Sequence, residues 1–238
     1  MDVANIVVLK ILNFSDTQKI VHAFSKESGY LSFISPSSLF RKKNCTVNLF
    51  QVCEVEFFPN EKGNFQKLKS VSPLLSLSNI YLDIYKMNII VLWSEILNLI
   101  LKNEQKNTNL FEFILKSVDY LNTTQNDTAN FNLFFLYRIA ALIGFKIDSS
   151  TYSQGCVFNV NDGTFVSPET SEPYISGPNA ARTIFTLCTC QVEDLKQIAL
   201  DRKSRSILLD IILLFYSIHL NTDLNIKSIR VIREVFED

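Results

Sequence analysis

The residues best suited to binding chemistry in this chain are basic and aromatic side chains in its first third. Lysine and arginine neutralise phosphates, and aromatic rings stack on unpaired bases, so their interleaving is typical of surfaces that hold single-stranded nucleic acid. Solubilising charges and ordinary core packing explain the same pattern equally well, and neither half of it reads a base sequence. The candidates are Lys10, Lys19, Phe40, Arg41, Lys42, Lys43, Phe65, Lys67 and Lys69.

The distribution of charge favours a polyanion-binding surface at the same end of the chain. The formal net charge of the whole chain is −1, which by itself argues against a nucleic-acid binder. Residues 1–80, however, hold 9 Lys and Arg against 6 Asp and Glu, a net charge of +3, whereas residues 151–238 carry −3. Such an asymmetry is a hint of contact with a polyanion at the basic end.

The residue types needed for catalysis do not form a recognisable set. His22 and His219 fall in different predicted domains and outside any catalytic motif, so a strand-face and a helix-end role are favoured for them. Glu54 and Glu56 point to one face of a predicted strand, but two carboxylates without a third ligand are usually solvated. The sequence therefore predicts a protein that is not an enzyme.

The five cysteines allow a zinc site only in principle. Their odd number and irregular spacing predict free thiols in a reducing compartment rather than a disulfide framework. Cys188, Cys190 and Cys156 suggest zinc, but a structural site needs four ligands, normally as paired Cys-x2-4-Cys turns. Buried free thiols are the favoured interpretation, and no metal or other cofactor is expected.

Short apolar runs separated by turn residues predict five strands in the first part of the chain. Five strands with a long loop after the third match a five-stranded Greek-key barrel of the OB type. Alternation along the last strand places Phe65, Lys67, Lys69 and Val71 on one face and Leu68 on the other. The predicted strands are residues 6–12, 19–25, 30–34, 46–58 and 65–71.

After residue 80 the apolar period changes from 2 to 3.6, which predicts a helical region. Asp127 or Thr128 can cap a helix that ends at Gly144 and carries Arg138 at the border of its apolar face. Residues 146–177 are rich in Gly and Pro and predict an irregular insert. The other predicted helices are residues 82–102, 109–121, 178–198, 204–220 and 226–236. The expected fold is α+β and multidomain, with a barrel at 1–79 and a helical domain at 80–238.

Neither a membrane span nor a secretion signal is expected. The longest apolar segment, residues 84–101, is interrupted by Lys86, Asn88 and Glu95 among others, so a buried helix fits it better. The N-terminus enters strand-like sequence directly, without the basic segment and apolar core of a signal peptide. The cytoplasm is therefore the expected location.

The order of these features resembles the bacterial RecO family of recombination mediators. The opening run VLKILNFSDTQKIVHAFSKESGYLSFI is similar to the start of that family, with its turn at Phe14-Ser15-Asp16 and its hairpin at Glu27-Ser28-Gly29-Tyr30. Three later segments follow in the family's order. They are NLFEFILKSVDYL (109–121), FNLFFLYRIAALIGF (131–145) and YSIHLNTDLNIKSIRVI (216–232).

The resemblance implies a non-enzymatic, nucleoid-associated DNA repair protein with an OB barrel followed by a helical bundle. Members of the family bind single- and double-stranded DNA, promote annealing and, with RecR and sometimes RecF, help load RecA onto strands coated by single-strand-binding protein. Many carry a four-cysteine zinc module in the bundle, but the insert here has only Cys156, so zinc is not carried over. In this setting Lys10 and Lys19 gain a role as phosphate contacts.

Two points stay open at the level of sequence. Arg138 is the candidate cation for the acidic, Phe-ended tail of single-strand-binding protein, and a helix-surface or inter-helix ion pair is the alternative. The acidic overall balance also admits a different class of protein, an adaptor that binds only proteins through its barrel and bundle.

Overall fold

The computed structural model describes residues 1–40, 47–60, 63–125, 128–169 and 176–235 of the 238-residue chain. These residues form two compact units. The first spans Met1–Thr123 and takes in Ile226–Ile232, and the second holds the remainder. The helices between residues 78 and 123 belong to the same unit as the barrel, and the domain boundary expected after residue 79 stays a prediction.

The first unit begins with a closed five-stranded barrel. Its strands follow one another in the order β1-β2-β3-β5-β4, with β3 and β5 parallel and all other neighbours antiparallel. This is the predicted OB-type architecture. The strands are β1 (Asp2–Asn13), β2 (Gln18–Ser25), β3 (Gly29–Pro36), β4 (Val52–Phe58) and β5 (Gln66–Pro73).

Alternation along the strands builds a core inside the barrel. Val8, Val21, Phe33 and Val55 are fully buried there, and a turn of 3-10 helix at Ser37–Phe40 closes one end. Side chains that face away from this interior are also buried on the first two strands, where Val7 pairs with Phe24. One helix described below packs on β1, so β1 is covered on both faces.

The fourth strand is shorter than predicted. The strand was predicted over residues 46–58 but begins at Val52. Residues 47–51 are not in a strand, and Leu49 and Phe50 form a turn in which Phe50 has a φ of 61°. The Phe50 ring is fully buried and lies 5.8 Å from the ring of Trp93. We infer that burial of the Phe50 ring stabilises the left-handed backbone conformation of this residue. The alternation of apolar residues in the sequence did not predict this turn.

The predicted position of Val71 was wrong. Val71 packs against the barrel core together with Leu68, three positions away, instead of sharing the outward face of Lys67. The cause is an irregularity in the β4–β5 register, where Glu56 pairs with Ser70 but Phe57 pairs with Leu68. The extra residue shifts every later side chain of β5 by one position.

Seven helices follow the barrel in the described part of the chain. The predicted 82–102 helix begins at Ile84, because the Asp83 side chain accepts the N–H groups of Tyr85 and Lys86 and caps it. The predicted 178–198 helix breaks at Cys190–Gln191, where the backbone is extended. The helices are α1 (Ser78–Tyr81), α2 (Ile84–Ile100), α3 (Thr108–Thr123), α4 (Thr128–Leu142), α5 (Pro178–Thr189), α6 (Arg202–Leu220) and α7 (Ser228–Val235).

The insert between α4 and α5 is a small hairpin held by aromatic rings. Strands β6 (Val157–Asn159) and β7 (Thr164–Val166) pair antiparallel. Phe158 and Phe165 contact each other, Phe158 reaches Phe215 of α6, and Phe165 reaches Phe185 of α5. These contacts give the insert an apolar core of its own in the second unit. No helix in the described residues is long and apolar enough to cross a bilayer.

Candidate nucleic-acid interface

A continuous row of outward side chains crosses all five strands of the barrel. Paired residues on neighbouring strands point to the same face, and four register pairs connect the row. Its members alternate with residues of the barrel core, and Leu12 and Phe58 are exposed. The row is therefore a mostly apolar band with one cation. In order it reads Leu12, Ile20, Ile34, Lys67 and Phe58.

A second, more polar row lies beside the first on β1, β2 and β3. Lys10 pairs with His22, and His22 pairs with Ser32. The His22 Nδ1 and Ser32 Oγ atoms are 2.8 Å apart, within hydrogen-bond distance. Lys10 and Lys67 thus both point outward from the barrel, but they lie on β1 and β5, which are not neighbouring strands.

His22 is held from its other side by Tyr30. The two rings stack with their centroids 5.9 Å apart, and the Tyr30 hydroxyl donates to Asn98 Oδ1 at 2.9 Å. Burial, followed by the charges of Lys10 and Lys102, lowers the pKa of His22 below its usual value, so the ring is neutral at pH 7. Burial also raises the pKa of Tyr30 to about 12, so this hydroxyl stays protonated.

Phe40 was predicted to be a DNA-binding residue, but it does not lie on the surface. Its ring is only 7% exposed and belongs to the barrel core, so it is not available to stack on a base. Lys19 lies over this ring, with its Nζ 5.6 Å from the ring centroid, and pairs with the buried Ser35. Lys19 therefore faces the inside of the barrel at one of its ends, whereas Lys10 and Lys67 face outward.

Lys69 is exposed but already has a partner. Its Nζ is 3.2 Å from Glu56 Oε2, and this contact is the main cause that lowers the pKa of Glu56. Glu56 and Glu54 share the outward face of β4, as predicted, and no group of three or more His, Cys, Asp or Glu that could hold a metal occurs among the described residues. A phosphate at Lys69 would have to compete with this carboxylate.

Two exposed aromatic residues were missed in the sequence reasoning. Phe14, in the turn between β1 and β2, is 60% exposed, and Phe58 is 46% exposed, against 36% for the predicted Phe65. The sequence signal for Phe58 was its place directly after the core residue Phe57, which alternation turns outward. Phe58 pairs with Lys67, which puts an exposed ring beside a cation. Arg41, Lys42 and Lys43 lie outside the described residues.

Arg138 of the second unit makes contacts other than an ion pair. Its Nη1 donates to the carbonyl oxygen of Cys188 at 2.8 Å, near the end of α5, and its guanidinium lies 5.6 Å from the ring centre of Phe134. A cation at a helix C-terminus is favourable, because it meets the unpaired carbonyls there. Among the described residues no carboxylate pairs with Arg138, and its bond to Cys188 uses one of its five N–H donors.

Four cysteines in the described residues are free thiols. Cys53 and Cys156 are buried, and Cys188 and Cys190 are partly exposed. Burial raises the pKa of the Cys188 thiol to about 12, which makes it a poor nucleophile and a poor metal ligand at neutral pH.

Comparison with known proteins places the chain among DNA repair proteins. The family model described as "Recombination protein O C terminal" matches residues 81–227. The DNA repair protein RecO of Bacteroides fragilis is 30% identical over 97% of this chain and 97% of its own length. The RecO proteins of Phocaeicola vulgatus and Flavobacterium johnsoniae are 28% and 26% identical with the same coverage. A model match over more than half of the chain and a relative this similar along nearly its whole length show that the chain belongs to the RecO family.

Proposed function

We propose that the protein acts in DNA repair and recombination as a mediator that binds single- and double-stranded DNA and anneals complementary strands. With RecR, and with RecF as a further partner, it helps load RecA onto DNA coated by single-strand-binding protein. The exposed Phe58 beside Lys67 on the outside of the barrel supports this proposal most directly. This pair joins a base-stacking and a phosphate-neutralising group on two neighbouring strands.

Annealing on such a surface needs no catalytic group. Two complementary strands repel each other through their phosphates, and cations held on a protein surface reduce that repulsion. Exposed rings such as Phe58 and Phe65 add stacking to unpaired bases, at about 1–3 kcal/mol per base. Because neither contact reads a sequence, the protein should bind strands of any sequence with a strong dependence on salt.

The experiment is a fluorescence anisotropy titration with labelled single-stranded and double-stranded oligonucleotides, followed by an annealing assay with complementary strands. We expect binding to both forms and an annealing rate above that of the strands alone. Replacing Arg41, Lys42 and Lys43 together by Ala should weaken single-strand binding and flatten its salt dependence. An unchanged affinity at low salt would remove this segment from the interface.

A protein-only adaptor is the second candidate function, and one observation favours it. Leu12, Ile20 and Ile34 on the outward row are aliphatic, and such side chains are more typical of protein interfaces than of base-stacking surfaces. A mobility-shift assay with and without RecR separates the two functions. No shift in either condition supports the adaptor, whereas a shift in either supports the DNA mediator.

For the tail of single-strand-binding protein we propose Arg138 as the cation that receives its acidic end. The position of the guanidinium over the Phe134 ring, which joins a cation to an apolar surface, supports this assignment. A peptide with the tail sequence should bind the protein, and Arg138→Ala should weaken that binding, while Arg182→Ala, which removes a cation from α5, should leave it unchanged. Equal binding by all three proteins would remove Arg138 from the contact.

A further inference from the structure

We propose that Lys10, His22 and Lys102 together hold one backbone phosphate of a single-stranded nucleic acid. The inference rests on the proposed DNA-binding function and adds a specific phosphate position to it, together with a dependence of binding on pH. His22 and Lys102 have no role in the interface predicted from the sequence.

Lys10 and His22 lie on the outward side of β1 and β2, and Lys102 lies in the turn directly after α2. Lys10 and His22 are direct partners in the β1–β2 register. The ring of Tyr30 stacks on His22, and its hydroxyl reaches Asn98 near the end of α2. This contact brings the end of α2, which Lys102 follows by two residues, close to His22. The charge of Lys102 accordingly acts on the His22 ring.

In the part of the chain that the structure describes, the cluster carries positive charge without a counter-ion. Among the described residues neither Lys10 nor Lys102 forms an ion pair, and both side chains are exposed. The ionisable groups that face His22 are Lys10 from β1, Tyr30 from β3 and Lys102 after α2, and both charges that act on its ring are positive. Elsewhere in the same unit, Lys26 and Lys69 are each paired with a glutamate.

A phosphate matches the cluster in charge and in hydrogen bonding. Lysine ammonium groups and an imidazolium donate to phosphate oxygens, and Ser32 Oγ, 2.8 Å from Nδ1, fixes the orientation of the ring. In the free protein the two lysines oppose protonation of His22. A bound backbone phosphate brings one negative charge that offsets part of the field of the two lysines, so the pKa of His22 should rise on binding. Each unit of this rise corresponds to about a tenfold gain in affinity at pH values below both pKa values.

The test uses the full chain and a short oligothymidylate at constant ionic strength. The affinity of the wild-type protein should increase as the pH falls from 7.5 to about 5.5, because the complex takes up a proton. His22→Gln keeps a hydrogen-bonding side chain beside Ser32 and should lose the dependence attributable to His22. Lys102→Ala should lower the slope of log affinity against log salt by less than about 0.7, the value for one whole phosphate contact, because Lys10 still holds the phosphate, and Lys102→Arg should restore the slope.

A second measurement follows the ring itself by proton NMR. The chain has 2 histidines, so the His22 signals can be assigned by comparison with His22→Gln. Addition of the oligonucleotide should raise the pKa of His22. Lys116→Ala is the matched control, since it removes an exposed lysine from α3 and should preserve both effects.

The outcomes distinguish this inference from the proposed function. If the wild-type protein binds the oligonucleotide but His22 titrates identically with and without it, the phosphate position is wrong and DNA binding stands. The same holds if Lys102→Ala and Lys116→Ala have equal salt slopes. If the wild-type protein binds no DNA at any pH, the proposed function itself fails.

Discussion

Phe65 and Phe40 have opposite exposures in the same barrel, and exposure decides what each ring contributes. Phe40 closes the interior and has Lys19 above it, so its contribution is to stability. Phe65 is partly exposed near the start of β5, where a base can reach it. Each ring lies two positions before a lysine in the sequence. Their exposures differ because Phe40 ends the 3-10 turn at Ser37–Phe40, which places its ring in the barrel core.

The pair gives a prediction at the residue scale. Phe40→Ala should lower the free energy of unfolding of the first unit by about 3–5 kcal/mol, because it removes a buried ring and leaves a cavity. Phe65→Ala should change it by less than about 0.5 kcal/mol and instead weaken oligonucleotide binding. Urea unfolding monitored by the fluorescence of Trp93, the chain's single tryptophan, reports on this unit. A stable Phe40→Ala protein would contradict the burial of that ring.

At the scale of elements, α7 is joined to the first unit by one carboxylate. The Glu95 side chain on α2 accepts the backbone N–H groups of Lys227 and Ser228, at 2.8 and 2.9 Å, at the start of α7. Burial opposes the charge of Glu95, but these hydrogen bonds outweigh it and the pKa of Glu95 lies below its usual value. A carboxylate at a helix N-terminus also interacts favourably with the helix dipole.

Removing this charge gives a pH-dependent prediction. Because the pKa of Glu95 is lowered by folding, its contribution is present above the unfolded value and is lost as the pH falls through the folded value. Glu95→Gln should therefore destabilise the first unit by about 1 kcal/mol at pH 7 and by progressively less in acid. Trp93 fluorescence in urea measures this difference. Asp119→Asn, an exposed change on α3, is the control, and a pH-independent loss in Glu95→Gln would contradict the account.

The insert gives a second prediction at this scale, because its shape depends on packing. Gly163 has a φ of +66°, and a Cβ there would lie 3.2 Å from the Phe215 ring and 3.3 Å from the Lys146 carbonyl oxygen. Gly155 in the same insert has a φ of +84° and open space around it. Both alanine variants should lose about 1 kcal/mol from backbone strain, and Gly163→Ala should lose more. Thermal unfolding by circular dichroism compares them; equal losses would argue against the contact with Phe215.

The barrel could be predicted from the sequence because its strands alternate and its turns carry Asn, Ser, Asp and Gly. The start of β4 and the facing of Val71 could not, because a buried Phe50 in a left-handed turn and a β5 irregularity override alternation. Only part of the candidate site could be predicted, because alternation along one strand does not show which residues neighbouring strands bring together. Phe58 lies beside Lys67 through pairing across strands, which a single strand's pattern does not reveal, and His22 gains its ring neighbour Tyr30 from β3.

At the scale of the whole molecule, a chain with net charge −1 concentrates its basic excess in the barrel segment. Electrostatic attraction of DNA then depends on the local surface rather than on the total charge. Membership of the RecO family supports a role in DNA repair. We propose that Lys10 and Lys67, on the outside of the barrel, neutralise the phosphates of single-stranded DNA.

The salt dependence of single-strand binding tests this claim most directly. The double variant Lys10→Ala/Lys67→Ala should bind more weakly than the wild-type protein, and its slope of log affinity against log salt should be smaller by about 1.4, since two phosphate contacts are lost. The control Lys116→Ala/Lys196→Ala removes the same charge from α3 and from the turn before α6, and its slope should equal that of the wild-type protein. Equal slopes for all three proteins would show that the outward barrel face does not contact DNA.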